Sequence, residues 1–174
     1  MSRAEELKHI IEVVPYDSMW PAQFQSEAEL IKPLYKDNFV AIYHIGSTAI
    51  PNLSAKPTID ILLEVKDIHK ADEANAKMAK LGYHAWGEYG IPGRRFFVKG
   101  EEKRTHHVHA FQSGNPDIKK HINFRDYLIA HPEVAKEYEQ LKIKLAEKFK
   151  NNRRAYVEGK QNFIDVIKKK AQGL

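Results

Sequence analysis

The order of apolar patterns predicts a mixed α/β (α+β) fold whose last third is helical. Three observations carry that expectation. Runs rich in β-branched and aromatic residues at Phe39–Tyr43, Thr58–Val65 and Thr105–Phe111 read as strands; Trp20, Phe24, Ala28 and Ile31 recur at helical spacing; and apolar stripes at the same spacing follow residue 116. At 174 residues, 43% apolar and 29% charged, the chain suits one domain with a sizeable core. It is read as a single unit spanning 1–174, with a core over about 10–112 and C-terminal helices over about 116–172.

Taken in order, Ile10–Val14 before Pro15 reads as an edge strand. Asp17 or Ser18 can cap the helix that follows, and Pro21 fits its first turn; Trp20 is expected in the core. Phe39–Tyr43 and Thr58–Val65 bracket the chemically richest stretch. Asp67–Leu81 reads as an Ala-rich helix closed by Gly82, and Tyr83–Trp86 as a short strand. A loop with Gly87, Gly90, Pro92 and Gly93 leads into Arg94–Lys99, which pairs with Thr105–Phe111 as a hairpin. The final stripes are Ile118, Ile122 and Leu128; Val134, Tyr138, Leu141, Leu145 and Phe149; and Tyr156, Phe163, Ile164 and Ile167.

Composition narrows the function classes. The chain has no cysteine, which removes disulfides and thiolate metal sites and fits a reducing compartment. No apolar run approaches a membrane span and Met1–Lys8 has no signal-peptide pattern, so a cytoplasmic protein without membrane contact is expected. The net charge of +5 is concentrated between Lys142 and Lys170, where ten Lys or Arg face Glu147, Glu158 and Asp165. Without a nucleic-acid motif these cations read mostly as solvated outer helix faces, and no nucleic-acid partner is expected. The oligomeric state is open.

Between the first two strands, Gly46 can take positive φ and the Ser47 hydroxyl can cap a short helix whose first amides suit a phosphate. Lys56 adds a cation, and Pro57 fixes the entry so that Asp60 falls inside an apolar strand. An acid there is costly unless paired, bonded or metal-bound. His107 and His109 share a strand face about 6.6 Å apart, near enough for both imidazoles to reach one ion. With Asp60 and His44 they make a candidate metal set. A divalent ion (Mg, Mn or Zn) is the cofactor these residues admit, and iron and nickel suit the nitrogens too. Hydrogen-bonded structural histidines are the alternative. Arg94 and Arg95 project to opposite faces of their strand, so one of them can present a guanidinium to a phosphate. Lys160 interrupts the last apolar stripe and either points inward or snorkels.

The run His44-Ile45-Gly46-Ser47-Thr48-Ala49-Ile50-Pro51-Asn52-Leu53-Ser54-Ala55-Lys56-Pro57-Thr58-Ile59-Asp60-Ile61 closely resembles the GrpB family. Supporting segments are Val14–Asp17 with Trp20 and Phe24, Gly93–Phe97, His106–His109, Phe124–Leu128, and Tyr156 with Lys160 and Phe163-Ile164. Gly-Ser, twelve residues, then an acid on the next strand also resembles the DNA polymerase beta-type nucleotidyltransferase superfamily. GrpB proteins have a nucleotidyltransferase-like fold and in some bacteria are fused to dephospho-CoA kinase. The resemblance implies a twisted mixed sheet of about five strands with flanking helices and a C-terminal helical bundle. It implies a third acidic position on the His107–His109 strand, beside Asp60. It also implies a bound nucleoside triphosphate or other small phosphate-containing ligand, with Gly46, Ser47 and Lys56 on the phosphates and Asp60 holding a metal during nucleotidyl transfer to a small acceptor. One departure stands out: the superfamily's Asp-hydrophobic-Asp is Asp60-Ile61-Leu62 here. Glu64 is about 13 Å along the strand from Asp60, too far to replace a carboxylate serving metals about 4 Å apart. A nucleotide- or metabolite-binding regulatory module and a single-metal hydrolase therefore remain beside the transferase.

Overall fold

The computed structural model describes residues 10–173. Five strands form one mixed sheet: β1 Phe39–Ile45, β2 Ile59–Val65, β3 Tyr83–Ala85, β4 Arg95–Lys99 and β5 His106–Gln112, in the spatial order β1-β2-β5-β4-β3. The central pair β2·β5 is parallel and the other pairings are antiparallel. β2 is almost wholly apolar because it is covered on both faces, as parallel strands generally are.

One face packs on α1 (Trp20–Tyr35) and α2 (Asn75–Lys80), with Trp20, Ile31, Ile61, Leu63, Met78, Phe97 and Val108 in the core between them. On the other face Ile45, Leu62 and Phe111 meet Ile118 of α3 (Pro116–Ala130). α4 (Pro132–Lys148) and α5 (Arg153–Ala171) pack with α3, and Tyr138, Leu128 and Ile167 form their shared core with Ile50 and Leu53 of the β1–β2 loop. Among the described residues no helix is long and apolar enough to cross a membrane.

Three local expectations are corrected. Ile10–Val14 makes one bridge, Val14 with Ala55, because Pro15 ends pairing at once. Asp67–Leu81 is not a continuous α-helix: Lys70–Ala74 is a 3₁₀ turn, which puts Ala71 and Ala74 on the buried side, and α2 is just the six residues after it. Ser47 does not cap; it is the first residue of a 3₁₀ turn, Ser47–Ala49, and Gly46 holds the cap position without a side-chain bond.

Candidate phosphate pocket

Gly46 has φ +73° and ψ −172°, a region essentially reserved for glycine. A Cβ there would lie 2.7 Å from Asp60 Oδ2 and 3.2 Å from Asp60 Cβ. The absence of a side chain thus lets the turn close directly over the Asp60 carboxylate. Register completes the arrangement, since Asp60 is opposite Ile45 on β1 and beside His107 on β5. The loop returning to β2 is clamped by α4: Glu139 Oε2 accepts from Ser54 N at 2.6 Å, and Lys142 Nζ donates to Ser54 O at 2.6 Å.

These elements enclose a cavity of about 170 Å³ lined by Ser47, Thr48, Lys56, Thr58, Asp60 and His107, with Lys142 of α4 and Arg153, Tyr156 and Lys160 of α5 among its other walls. Four cationic side chains therefore meet one carboxylate. Burial and the neighbouring Lys160 lower the Lys142 amine to about 7, Glu139 pulling the other way. Lys160 is lowered to about 8, by burial first, despite the attraction of Asp60; its Nζ lies 4.3 Å from the Tyr156 ring centroid. Amines near neutrality in a shared cavity are held short of full protonation by desolvation and mutual repulsion, and a bound anion relieves both.

Asp60 is contacted by two imidazoles. His107 Nδ1 lies 3.3 Å and His109 Nε2 3.5 Å from the same oxygen, Oδ1. Burial raises the carboxyl's affinity for a proton, but bonding to His107 and His109 outweighs it and holds Asp60 well below the usual carboxylate range. Burial in turn lowers His107, more than Asp60 raises it, so this imidazole is neutral at pH 7.

Arg94 decides the state of His109. Its guanidinium donates to Glu88 O (3.2 Å), Tyr89 O (2.8 Å) and His109 Nδ1 (3.3 Å) and lies over the Phe96 ring. A guanidinium has no acceptor, so His109 Nδ1 accepts from it and the ring carries its hydrogen on Nε2, facing Asp60. His109 in this arrangement is a donor to Asp60, not a ligand. Among the described residues no group of three or more His, Asp or Glu is arranged to hold a metal ion. Asp60 and His107 fit one better, because two donors 3.3 Å apart have the spacing of adjacent ligands at about 2.0–2.2 Å from one ion.

The structure brings Gly46, Ser47, Lys56, Asp60, His107 and Lys160 together, with His109 behind Asp60. It does not bring His44. Opposite Ile61, that ring lies on the α1 face, stacked on Phe24 at 4.9 Å, with Nε2 bonded to Thr48 Oγ1 at 2.8 Å. Burial pushes His44 down to about 4. Arg94 acts through His109, and Arg95 turns away into a two-pronged ion pair with Asp72 at 2.7 and 3.1 Å. Leu62, at the second-acid position, is fully buried among Ile45, Phe111 and Ile118.

Sequence reasoning missed Lys142, Arg153 and His121. Lys142, read as part of a solvated face, is 2% exposed. The available signal was its place four residues after Tyr138 and four before Ala146, on the buried stripe of α4. His121, on α3 beside Ile118 and Ile122, has its ring centroid 5.5 Å from that of His109 and is lowered to about 4, chiefly by burial.

The family model described as GrpB protein matches residues 10–170. The UPF0157 protein YqkA of Bacillus subtilis is 44% identical over 165 residues, 95% of this chain but 48% of YqkA, so the chain spans about half that relative's length. The crystal structure of conserved protein GrpB from Enterococcus faecalis superposes with TM-score 0.89 at 42% identity, covering 92% of this chain and 96% of that one. A dephospho-CoA kinase of Mycolicibacterium paratuberculosis is 27% identical over 176 residues, 87% of this chain and 43% of that protein. Matched over nearly all its described length, the chain belongs to the GrpB family.

Proposed function

We propose that this chain binds the phosphates of a nucleoside triphosphate, or of a related phosphate-bearing metabolite, in the Asp60 pocket and transfers a nucleotidyl group to a small acceptor. One observation carries the reading: Lys56, Lys142, Arg153 and Lys160 line a cavity whose one lining acid is Asp60. Phosphoryl chemistry asks chiefly for positioning and neutralised charge. Lys56 of the β1–β2 loop and Lys160 of α5 supply charge to the cavity, while the Gly46-Ser47 turn packs directly over Asp60 and fixes where that carboxylate sits. His109, fixed by Arg94, donates to Asp60 and keeps its carboxylate ionised and oriented. Asp60 and His107 are the residues that would hold a divalent ion, whose charge would offset that gathering on the leaving pyrophosphate. The acceptor hydroxyl oxygen forms the new bond to the α-phosphorus as its proton leaves to water, and pyrophosphate departs with the electrons of the broken bond.

Burial of Leu62 in the core supports a second reading, a binding module of the nucleotidyltransferase-like type without turnover. The test is a thermal-shift titration with ATP, GTP, CTP and UTP, each with magnesium or manganese, on wild type and Asp60→Asn. Binding by both proteins with turnover in wild type alone supports the transferase; binding by both without turnover supports the module. No shift with any nucleotide at millimolar concentration removes nucleotide binding.

A further inference from the structure

The Asp60 cavity is too small for a whole nucleotide. Its volume of about 170 Å³ lies below the 300–1,000 Å³ or so typical of sites that enclose an organic ligand. Phosphate groups fill such a space; a nucleoside does not. Beside it runs a groove of about 660 Å³, which shares Ile11, Lys56 and Thr58 with the cavity.

Resting on the phosphate reading, we infer that the nucleoside end of the ligand lies in this groove, against Ile10, Ile11 and Pro57 and between Glu102, Lys103 and Lys150. Three features fit that occupant. Ile10 is 67% exposed, an apolar surface that a flat base can cover. Glu12 and Lys103, 3.2 Å apart, together with Glu102 and Lys150 offer donors and acceptors for ribose hydroxyls and base edges. The wall is also preformed: Ile11 N donates to Lys150 O, and Val14 exchanges both backbone bonds with Ala55, each at 2.9 Å, so the segment carrying Ile10 and Ile11 is fastened to the loop that carries Lys56. Preformed walls lose little freedom on binding.

Calorimetric titration with sodium tripolyphosphate and with each of the four nucleoside triphosphates, all with magnesium, separates the groove from the cavity. The expected result is that at least one nucleotide binds about tenfold more tightly than tripolyphosphate, the increment from covering on the order of 60 Å² of apolar surface. Ile10→Ser, a neutral change at an exposed position, should bring that ratio toward one and leave tripolyphosphate binding unaltered. Lys150→Gln should weaken all these anions and lower the ratio as well. Equal binding of tripolyphosphate and every nucleotide to wild type overturns the groove assignment while keeping the phosphate pocket. A nucleotide advantage that survives both substitutions places the nucleoside elsewhere and overturns it too. Absence of binding by tripolyphosphate and nucleotides alike overturns the pocket reading and this inference with it.

Discussion

Replacing Gly46 with alanine tests the closest contact in the site. The backbone there, at φ +73° and ψ −172°, costs a non-glycine residue about 1–3 kcal/mol. The added methyl also meets Asp60 at 2.7 Å from Oδ2, 3.2 Å from Cβ and 3.3 Å from Cγ. Rotating the carboxylate cannot relieve all three contacts, and Oδ1 is already engaged by His107 and His109. Either the turn or the start of β2 must shift, adding about 1–3 kcal/mol of overpacking. Urea denaturation should therefore show Gly46→Ala destabilised by about 2–6 kcal/mol, and the variant should lose its thermal response to nucleotide. Ser47→Ala, one residue on, adds no methyl against Asp60 and serves as the control for stability alone. Wild-type stability with wild-type ligand response in Gly46→Ala would refute the claim that the turn and the carboxylate are fitted to each other.

Arg94→Met removes the donor to His109 Nδ1; long-range ¹H–¹⁵N spectra should show a single His109 tautomer protonated on Nε2 in wild type and a mixture in the variant. Phosphate affinity should fall as pH rises past about 7 and then about 8, the values to which Lys142 and Lys160 are lowered. Below those values the pocket is already charged, whereas above them each bound anion must draw protons in, so calorimetry in two buffers of different ionisation enthalpy should report proton uptake at pH 8.5 or so. Elemental analysis after reconstitution with zinc, manganese or nickel should find metal in wild type and less in His107→Ala; equal loading of both, or of neither, would make His107 structural.

The sequence disclosed what lies close along the chain. Gly46, Ser47, Lys56 and Asp60 sit in one strand-turn-strand unit, where spacing alone fixes which residues share an end. The paired faces of His107 and His109 followed from strand alternation, and their position beside Asp60 followed from the family resemblance. His44 misled because proximity to the turn says nothing about face. Register sends it to the α1 side, where Phe24 and Thr48 occupy it. Lys142 and Arg153 were hidden for another reason: their meeting with Lys56 depends on how helices pack, which one helix's periodicity does not encode.

That packing explains why the C-terminal helices belong to the site and are not a scaffold behind it. α4 supplies Lys142 to the cavity, and the same amine, together with Glu139 three residues earlier, holds both backbone polar groups of Ser54. Ser54 precedes Lys56 by two residues, so the helix that contributes one cation also sets the backbone that presents another. α5 adds Arg153, Tyr156 and Lys160 to the lining. A buried lysine kept near neutrality costs stability wherever no anion is bound. Retaining two of them in the cavity that Asp60 lines fits an anionic ligand, since helices drawn from the far end of the chain then supply the cations that the Asp60 end of β2 lacks.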